Sequence, residues 1–152
     1  MARVRAAIPA VQFTTDMIVG FPGETEEEFA ESADFARRAG CLHIHVFPYS
    51  RREGTPAAAM KGQHPNAVKE ARSAAAAAVA AELEEAYYTA MVGQTVPVLF
   101  EQEEHGRFTG HAPNYVKVYV QERDLHNQVL PVKITGLFRD GVEGQPVKEE
   151  RV

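Results

Sequence analysis

Cysteine is almost missing from this sequence of 152 residues, where Cys41 stands alone. One thiol excludes an internal disulfide framework and any all-cysteine metal site built by a single chain. Long apolar runs are missing too. No stretch approaches the roughly 18 apolar residues that suggest a membrane span. The opening Met1-Ala-Arg-Val-Arg leads into no signal-peptide core, because Pro9 and Gln12 interrupt it. The cytoplasm is therefore the expected location. Positive charge is not in excess either: 16 Lys and Arg against 21 Asp and Glu give a net charge of -5. That balance argues against a stand-alone nucleic-acid binder, although a local basic patch is compatible with it. What is present is ordinary, with 45% hydrophobic and 24% charged residues. Such a chain folds as one domain or two small ones.

The first third alternates strand and helix. Gln12 to Val19 is rich in β-branched and apolar residues, and Gly20-Phe21-Pro22-Gly23 stops it. Thr25 followed by Glu28 has capping-box spacing, and Glu26, Glu27 and Glu28 suit the positive end of a helix dipole. Phe29, Ala33, Phe35 and Ala36 form an apolar stripe, Arg37 and Arg38 fall in the last turn, and Gly40 closes the helix. A second strand runs from Leu42 to Phe47. Strand, helix, strand predicts a parallel sheet, and two strands do not make a stable sheet alone. Ser50 to Pro65 reads as a loop. Asn66 to about Met91, alanine-rich and free of Gly and Pro, reads as one long helix ended by Gly93. Beyond it come four short β-type runs: Val96 to Phe100, Phe108 to His111, Tyr115 to Val120 and Val129 to Leu137. Their close spacing predicts a small barrel.

Several segments could carry chemistry. The Gly20 to Thr25 turn lies at the carboxyl end of a strand and the start of a helix, where ligands sit in parallel α/β folds. It reads equally as a plain turn, and it lacks the Gly-Lys-Ser/Thr of a phosphate loop. His43 and His45 share one strand face and fit a cleft-lining pair better than a metal site. Cys41 reads as a buried small residue. Arg51 and Arg52 follow the second strand, where a guanidinium suits a carboxylate or phosphate, or simply water. In the barrel, Arg107, His111, Asn114, Tyr115, Lys117 and Tyr119 mix bases with aromatics, as a single-strand RNA surface does. An ordinary solvated face is the competing reading.

Two motifs are more specific than any of these: Thr14-Thr15-Asp16-Met17-Ile18-Val19-Gly20-Phe21-Pro22-Gly23-Glu24-Thr25, and His45-Val46-Phe47-Pro48-Tyr49-Ser50-Arg51-Arg52-Glu53-Gly54-Thr55-Pro56. With the helix and β module that follow, they resemble the radical-SAM methylthiotransferases. Gly110-His111-Ala112-Pro113-Asn114-Tyr115-Val116-Lys117-Val118 looks like the TRAM domain of the branch that modifies threonylcarbamoyladenosine in tRNA. The resemblance implies an α/β fold class: the C-terminal fragment of a radical-SAM partial (β/α) barrel in residues 1–65, a connecting helix in 66–91, and a small antiparallel β-barrel (TRAM) in 92–152. It implies a complete enzyme that uses S-adenosylmethionine and two 4Fe-4S clusters to place a 2-methylthio group on the adenosine beside the anticodon. The cluster motif Cys-x-x-x-Cys-x-x-Cys is absent here, so the chain is expected to be the C-terminal part of such an enzyme, with Met1 a misassigned or engineered start, and inactive alone.

By the same resemblance Asp16, Ile18, Gly20, Glu24, Val46, Phe47 and Tyr49 line the S-adenosylmethionine site. Arg51 and Arg52 face the substrate opening, and Arg107, His111, Asn114, Tyr115 and Lys117 contact RNA. No residue is assigned to the catalytic step itself. The expected partners are tRNA and the missing N-terminal portion, with no membrane, and self-association through the exposed sheet. Alternatives are a TRAM-type RNA-binding protein without catalysis, or a methylthiotransferase acting on isopentenyladenosine tRNA or on a ribosomal protein.

Overall fold

The computed structural model describes residues 1–8 and 11–147, so the last five residues of the expected TRAM segment lie outside the description. The chain divides into two compact units between Glu84 and Glu85.

The first unit begins with a short helix, α1 (Ala2–Ala7), followed by β1 (Thr14–Val19), α2 (Glu26–Ala39), β2 (His43–Pro48), a single turn α3 (Pro56–Ala59), and most of the long helix α4 (Asn66–Met91). β1 and β2 pair in parallel, with Asp16 opposite His45 and Ile18 opposite Phe47. α2 starts where its sequence says it should. Thr25 Oγ1 accepts from the Glu28 amide at 3.2 Å, and the Glu28 carboxylate accepts from the Thr25 amide at 2.8 Å. Gly40 ends the helix in the left-handed conformation, at φ 60°. Arg5 of α1 donates to the carbonyls of Ala39 and Gly40 at 2.6 and 3.1 Å, satisfying acceptors that the end of a helix leaves open.

Strand alternation gives this sheet two unlike faces. Met17, Val19, Ile44 and Val46 point toward the helices, where Ala33, Ala36, Ala39 and Cys41 pack with Val79, and Val19 packs with Phe29 and Ala76. Asp16, Ile18, His45 and Phe47 occupy the opposite face and are exposed. Arg72, Ala76, Val79 and Leu83 follow one another at helical spacing along the inner side of α4. A guanidinium thus stands in the apolar stripe.

The second unit is a closed barrel of β3 (Thr95–Glu104), β4 (Arg107–His111), β5 (Lys117–Val120), β6 (Val129–Phe138) and β7 (Gly141–Pro146), in the order β3-β4-β5-β7-β6. Val98, Phe100, Val118, Val120, Val132, Ile134 and Val142 fill it and are almost wholly buried.

The sequence predicts four strands and an antiparallel barrel; among the described residues the barrel has five, and β5 pairs with β7 in parallel. Parity explains the difference, because a closed ring with an odd number of strands cannot be antiparallel at every seam. β7 was overlooked since Gly-Val-Glu-Gly-Gln-Pro has little strand propensity. Its glycines are there for clearance: a Cβ at Gly144 would come within 2.6 Å of the Lys133 carbonyl oxygen. The loop read from Ser50 to Pro65 contains α3, which Thr55 caps by accepting from the Ala58 amide at 3.3 Å. Among the described residues no helix is long and apolar enough to cross a membrane.

Candidate functional site

The turn after β1 is held from within. The Glu24 carboxylate accepts from the Gly20 amide at 2.7 Å and from Arg72 Nη1 at 2.6 Å. Arg72 also donates to the Glu24 carbonyl at 3.0 Å, pairs with Glu26 at 3.2 Å, and lies 5.6 Å from the centre of the Phe29 ring. Its side chain is 7% exposed and that of Glu24 is 14% exposed. Gly20 itself adopts φ 69°, and a Cβ there would collide with the Lys69 side chain. Lys69 in turn donates to the Tyr49 carbonyl at 3.2 Å, which ties α4 to the end of β2.

Three of the residues assigned to the cofactor, Asp16, Ile18 and Phe47, therefore share the open sheet face. Val46 points the other way, into the core. Asp16, Ile18 and Glu24 also border a cleft of about 850 Å³ along β1 and α2, together with Phe21, Phe35 and Met60. Tyr49 rests edge-on against Phe21 at 5.3 Å, and its buried hydroxyl has no hydrogen-bond partner among the described residues. Arg51 and Arg52 are exposed; Arg51 borders a second hollow with Glu53 and Thr55, and the Arg52 carbonyl accepts from Thr55 Oγ1 at 2.7 Å. His43 is paired with Glu84 at 2.6 Å, whereas His45 is exposed.

In the barrel most of the candidates are engaged internally. The Lys117 ammonium binds Glu104 at 2.5 Å and Asp140 at 3.5 Å, and Asp140 also accepts from the Tyr119 hydroxyl. These contacts join β3 and β5 to the β6–β7 turn. Arg107 pairs with Glu143 at 2.5 Å and lies 4.1 Å above the Phe138 ring. His111 meets Glu101 at 2.5 Å. Asn114 faces inward, donating to the Tyr87 hydroxyl at 2.8 Å and accepting from the Val116 amide at 3.3 Å. That turn takes Tyr115 out of the strand in which the sequence placed it. Tyr115 sits at φ 63°, 82% exposed, with no side-chain partner among the described residues.

Charge follows these contacts. The Lys117 hydrogen bond holds the Glu104 carboxyl below its usual range, and the Tyr119 hydroxyl does the same for Asp140. The Glu104 contact raises the Lys117 ammonium far above its ordinary value. Burial pushes the Cys41 thiol up, as expected for an inert packed cysteine.

The donor set does not fit an iron–sulfur cluster. Cys41 is the single thiol, it is buried in the core of the first unit, and no group of three or more His, Cys, Asp and Glu among the described residues is placed to hold a metal.

An open α/β unit and a closed five-stranded barrel make this a two-part protein. No family model matches the chain. Over its whole length it is 36% identical to the tRNA-2-methylthio-N(6)-dimethylallyladenosine synthase of Chloroflexus aurantiacus, covering 34% of that protein. It is also 36% identical to the threonylcarbamoyladenosine tRNA methylthiotransferase of Bacillus subtilis, over 96% of the chain and 34% of the relative. The ribosomal protein uS12 methylthiotransferase of a Synechococcus strain is 40% identical over 88% of the chain and 30% of its own length. The chain thus spans about a third of the length of the curated relatives it matches. It is a segment of the methylthiotransferase family.

Two predictions follow from these contacts. Arg72→Met leaves Glu24 buried without its cation, which costs roughly 3–5 kcal/mol. Chemical unfolding of the first unit should shift accordingly, and adding Glu24→Gln should restore part of the loss. An unchanged unfolding midpoint would contradict the clamp. The second concerns acid. Glu104 and Asp140 have lowered folded values, so their stabilisation is complete above their ordinary values of 4.5 and 3.8 and is lost as pH falls through the folded ones. The Lys117 contribution is lost only in strong base. Barrel melting should therefore fall as pH drops below about 5, and Lys117→Met should flatten that fall.

Proposed function

We propose that the chain is the C-terminal part of a radical-SAM tRNA methylthiotransferase, with the end of the catalytic barrel in residues 1–65, a connecting helix in 66–91 and a TRAM module in 92–152. The complete enzyme, in this reading, adds a 2-methylthio group to N6-threonylcarbamoyladenosine beside the anticodon. The match to tRNA methylthiotransferases over nearly the whole chain carries the enzyme-class part of the proposal. The Arg51-Arg52-Glu53-Gly54-Thr55 loop and the Gly110 to Tyr115 segment support this branch.

In the complete enzyme S-adenosylmethionine and two iron–sulfur clusters supply the radical and sulfur chemistry, and the cluster ligands come from outside this chain. Its own residues shape and line the site. Asp16, Ile18 and Phe47 present side chains from one sheet face, and Tyr49 closes the end of β2. Gly20 and Glu24 fix the turn, with Glu24 acting through the Gly20 amide. Val46 contributes its backbone. Arg51 and Arg52, exposed and without carboxylate partners among the described residues, are suited to RNA phosphates. Arg107, Asn114 and Lys117 maintain the module, and His111 and Tyr115 present its RNA-facing surface.

Nucleoside mass spectrometry of tRNA from the source cell, with and without the intact gene, tests this. Deletion should abolish 2-methylthio-threonylcarbamoyladenosine and accumulate its unthiolated precursor, and the 152 residues alone should fail to restore it. Persistence of that nucleoside rejects the branch. Loss of the methylthio group from dimethylallyladenosine, or from ribosomal protein uS12, would assign one of the other two. If none of these changes, the chain is an RNA-binding module without catalysis, a reading supported by the barrel's self-contained core.

A further inference from the structure

On the outer face of the barrel a row of side chains crosses three strands, apolar on two of them. His111 of β4 stands opposite Leu99 of β3, and Leu99 stands opposite Val129 of β6. Cross-strand neighbours share a face, and strands lie about 4.8 Å apart, so the row is a strip roughly 10 Å across. Leu99 is 43% and Val129 62% exposed. Tyr115 and Glu101 border the same hollow, whose volume is about 420 Å³.

Three features of this hollow select an occupant. The strip is too small for a stable protein partner, which buries about 800 Å² on each side. Its charged groups are the paired Glu101 and His111, so no free cation is offered to a phosphate. Its wall is an aromatic ring with fixed backbone: Tyr115 is held at positive φ by Asn114, and its amide donates to the Ala112 carbonyl at 2.9 Å.

We propose that this hollow receives one unpaired nucleobase of a single-stranded RNA. Tyr115 is the stacking wall, Leu99 and Val129 are the floor, and the Glu101 carboxylate accepts from an exocyclic amino group on the base edge. This rests on the RNA-binding reading above and gives it a specific subsite. Phosphate attraction then comes from cations elsewhere on the unit, such as Arg123 and Lys133, which have no carboxylate partner among the described residues. Asn114 is a positioning residue: its Nδ2 donor is spent on Tyr87, so it orients Tyr115 without touching RNA.

The test uses the full chain with short oligoadenosine and oligouridine RNAs, the former carrying a 2-aminopurine, and reads anisotropy across a salt series together with 2-aminopurine quenching. Tyr115→Ala should weaken oligoadenosine binding roughly tenfold, within the range for base–aromatic stacking. It should abolish the quenching and leave the salt slope unchanged. Tyr115→Phe should retain affinity and quenching. Glu101→Gln should narrow the preference for oligoadenosine over oligouridine, because uracil has no amino group. Circular dichroism checks that each variant is folded.

If the unmutated chain binds with a clear salt dependence but Tyr115→Ala changes neither affinity nor quenching, the pocket is refuted and the RNA-binding reading stands. If the unmutated chain binds neither RNA at any salt, both fail. If Tyr115→Ala alters the chain's association state and not its RNA affinity, the face is a protein contact and the proposal is overturned.

Discussion

A buried guanidinium links three segments of the first unit. Arg72 comes from α4, Glu24 from the turn after β1, and Glu26 from the first turn of α2. Because Glu24 also receives the Gly20 amide, one ion pair sets both the end of the strand and the start of the helix. A buried ion pair is weak evidence for net stability, since desolvation offsets much of the attraction. Its consequence here is geometric. The carboxylate and guanidinium constrain one another, and the turn at the carboxyl end of β1 takes one conformation. That is the end of the sheet at which a parallel α/β fold presents its ligands.

The second unit meets a different constraint. Closing five strands forces one parallel seam, between β5 and β7, and it is supported from the side chains. Lys117 on β5 reaches Glu104 at the end of β3 and Asp140 in the β6–β7 turn. Glycine then allows the strands to approach: a Cβ at Gly110 would fall within 2.8 Å of the Phe100 Cα. Residues that composition suggested as RNA contacts, Lys117 and Arg107 among them, are drawn into this framework. Tyr115 and the short apolar strip of Leu99 and Val129 stand outside this framework on the surface.

Local chemistry was legible where it acts locally. The Thr25 and Glu28 pair, the Gly40 terminator and the unbroken alanine-rich helix are each fixed by neighbours within a turn or two, and each appears in the structure as read. Alternation puts Asp16, Ile18 and Phe47 on the open sheet face, whereas the resemblance groups them with Val46, which points into the core. The rest depends on partners distant in sequence. β7 is a strand because β5 and β6 flank it, despite two glycines and a proline. Tyr115 left its expected strand because Asn114 turns toward Tyr87, a contact between side chains 27 positions apart. Arg72 was overlooked in a helix read by propensity. Its place on the Ala76, Val79 and Leu83 stripe was the available signal: a charge at a buried helical position needs a carboxylate to meet it.

The two units therefore differ in completeness. The barrel closes on itself, whereas β1 and β2 form a parallel pair covered on one face, with Ile18 and Phe47 more than half exposed on the other. Two strands are too few to protect their own amides against solvent. Residue-resolved amide hydrogen exchange on the dilute monomer tests this contrast most directly. Amides of β3 to β7 should exchange slowly and together, while those of β1 and β2 exchange at least tenfold faster. Uniformly slow exchange across both units would contradict the account.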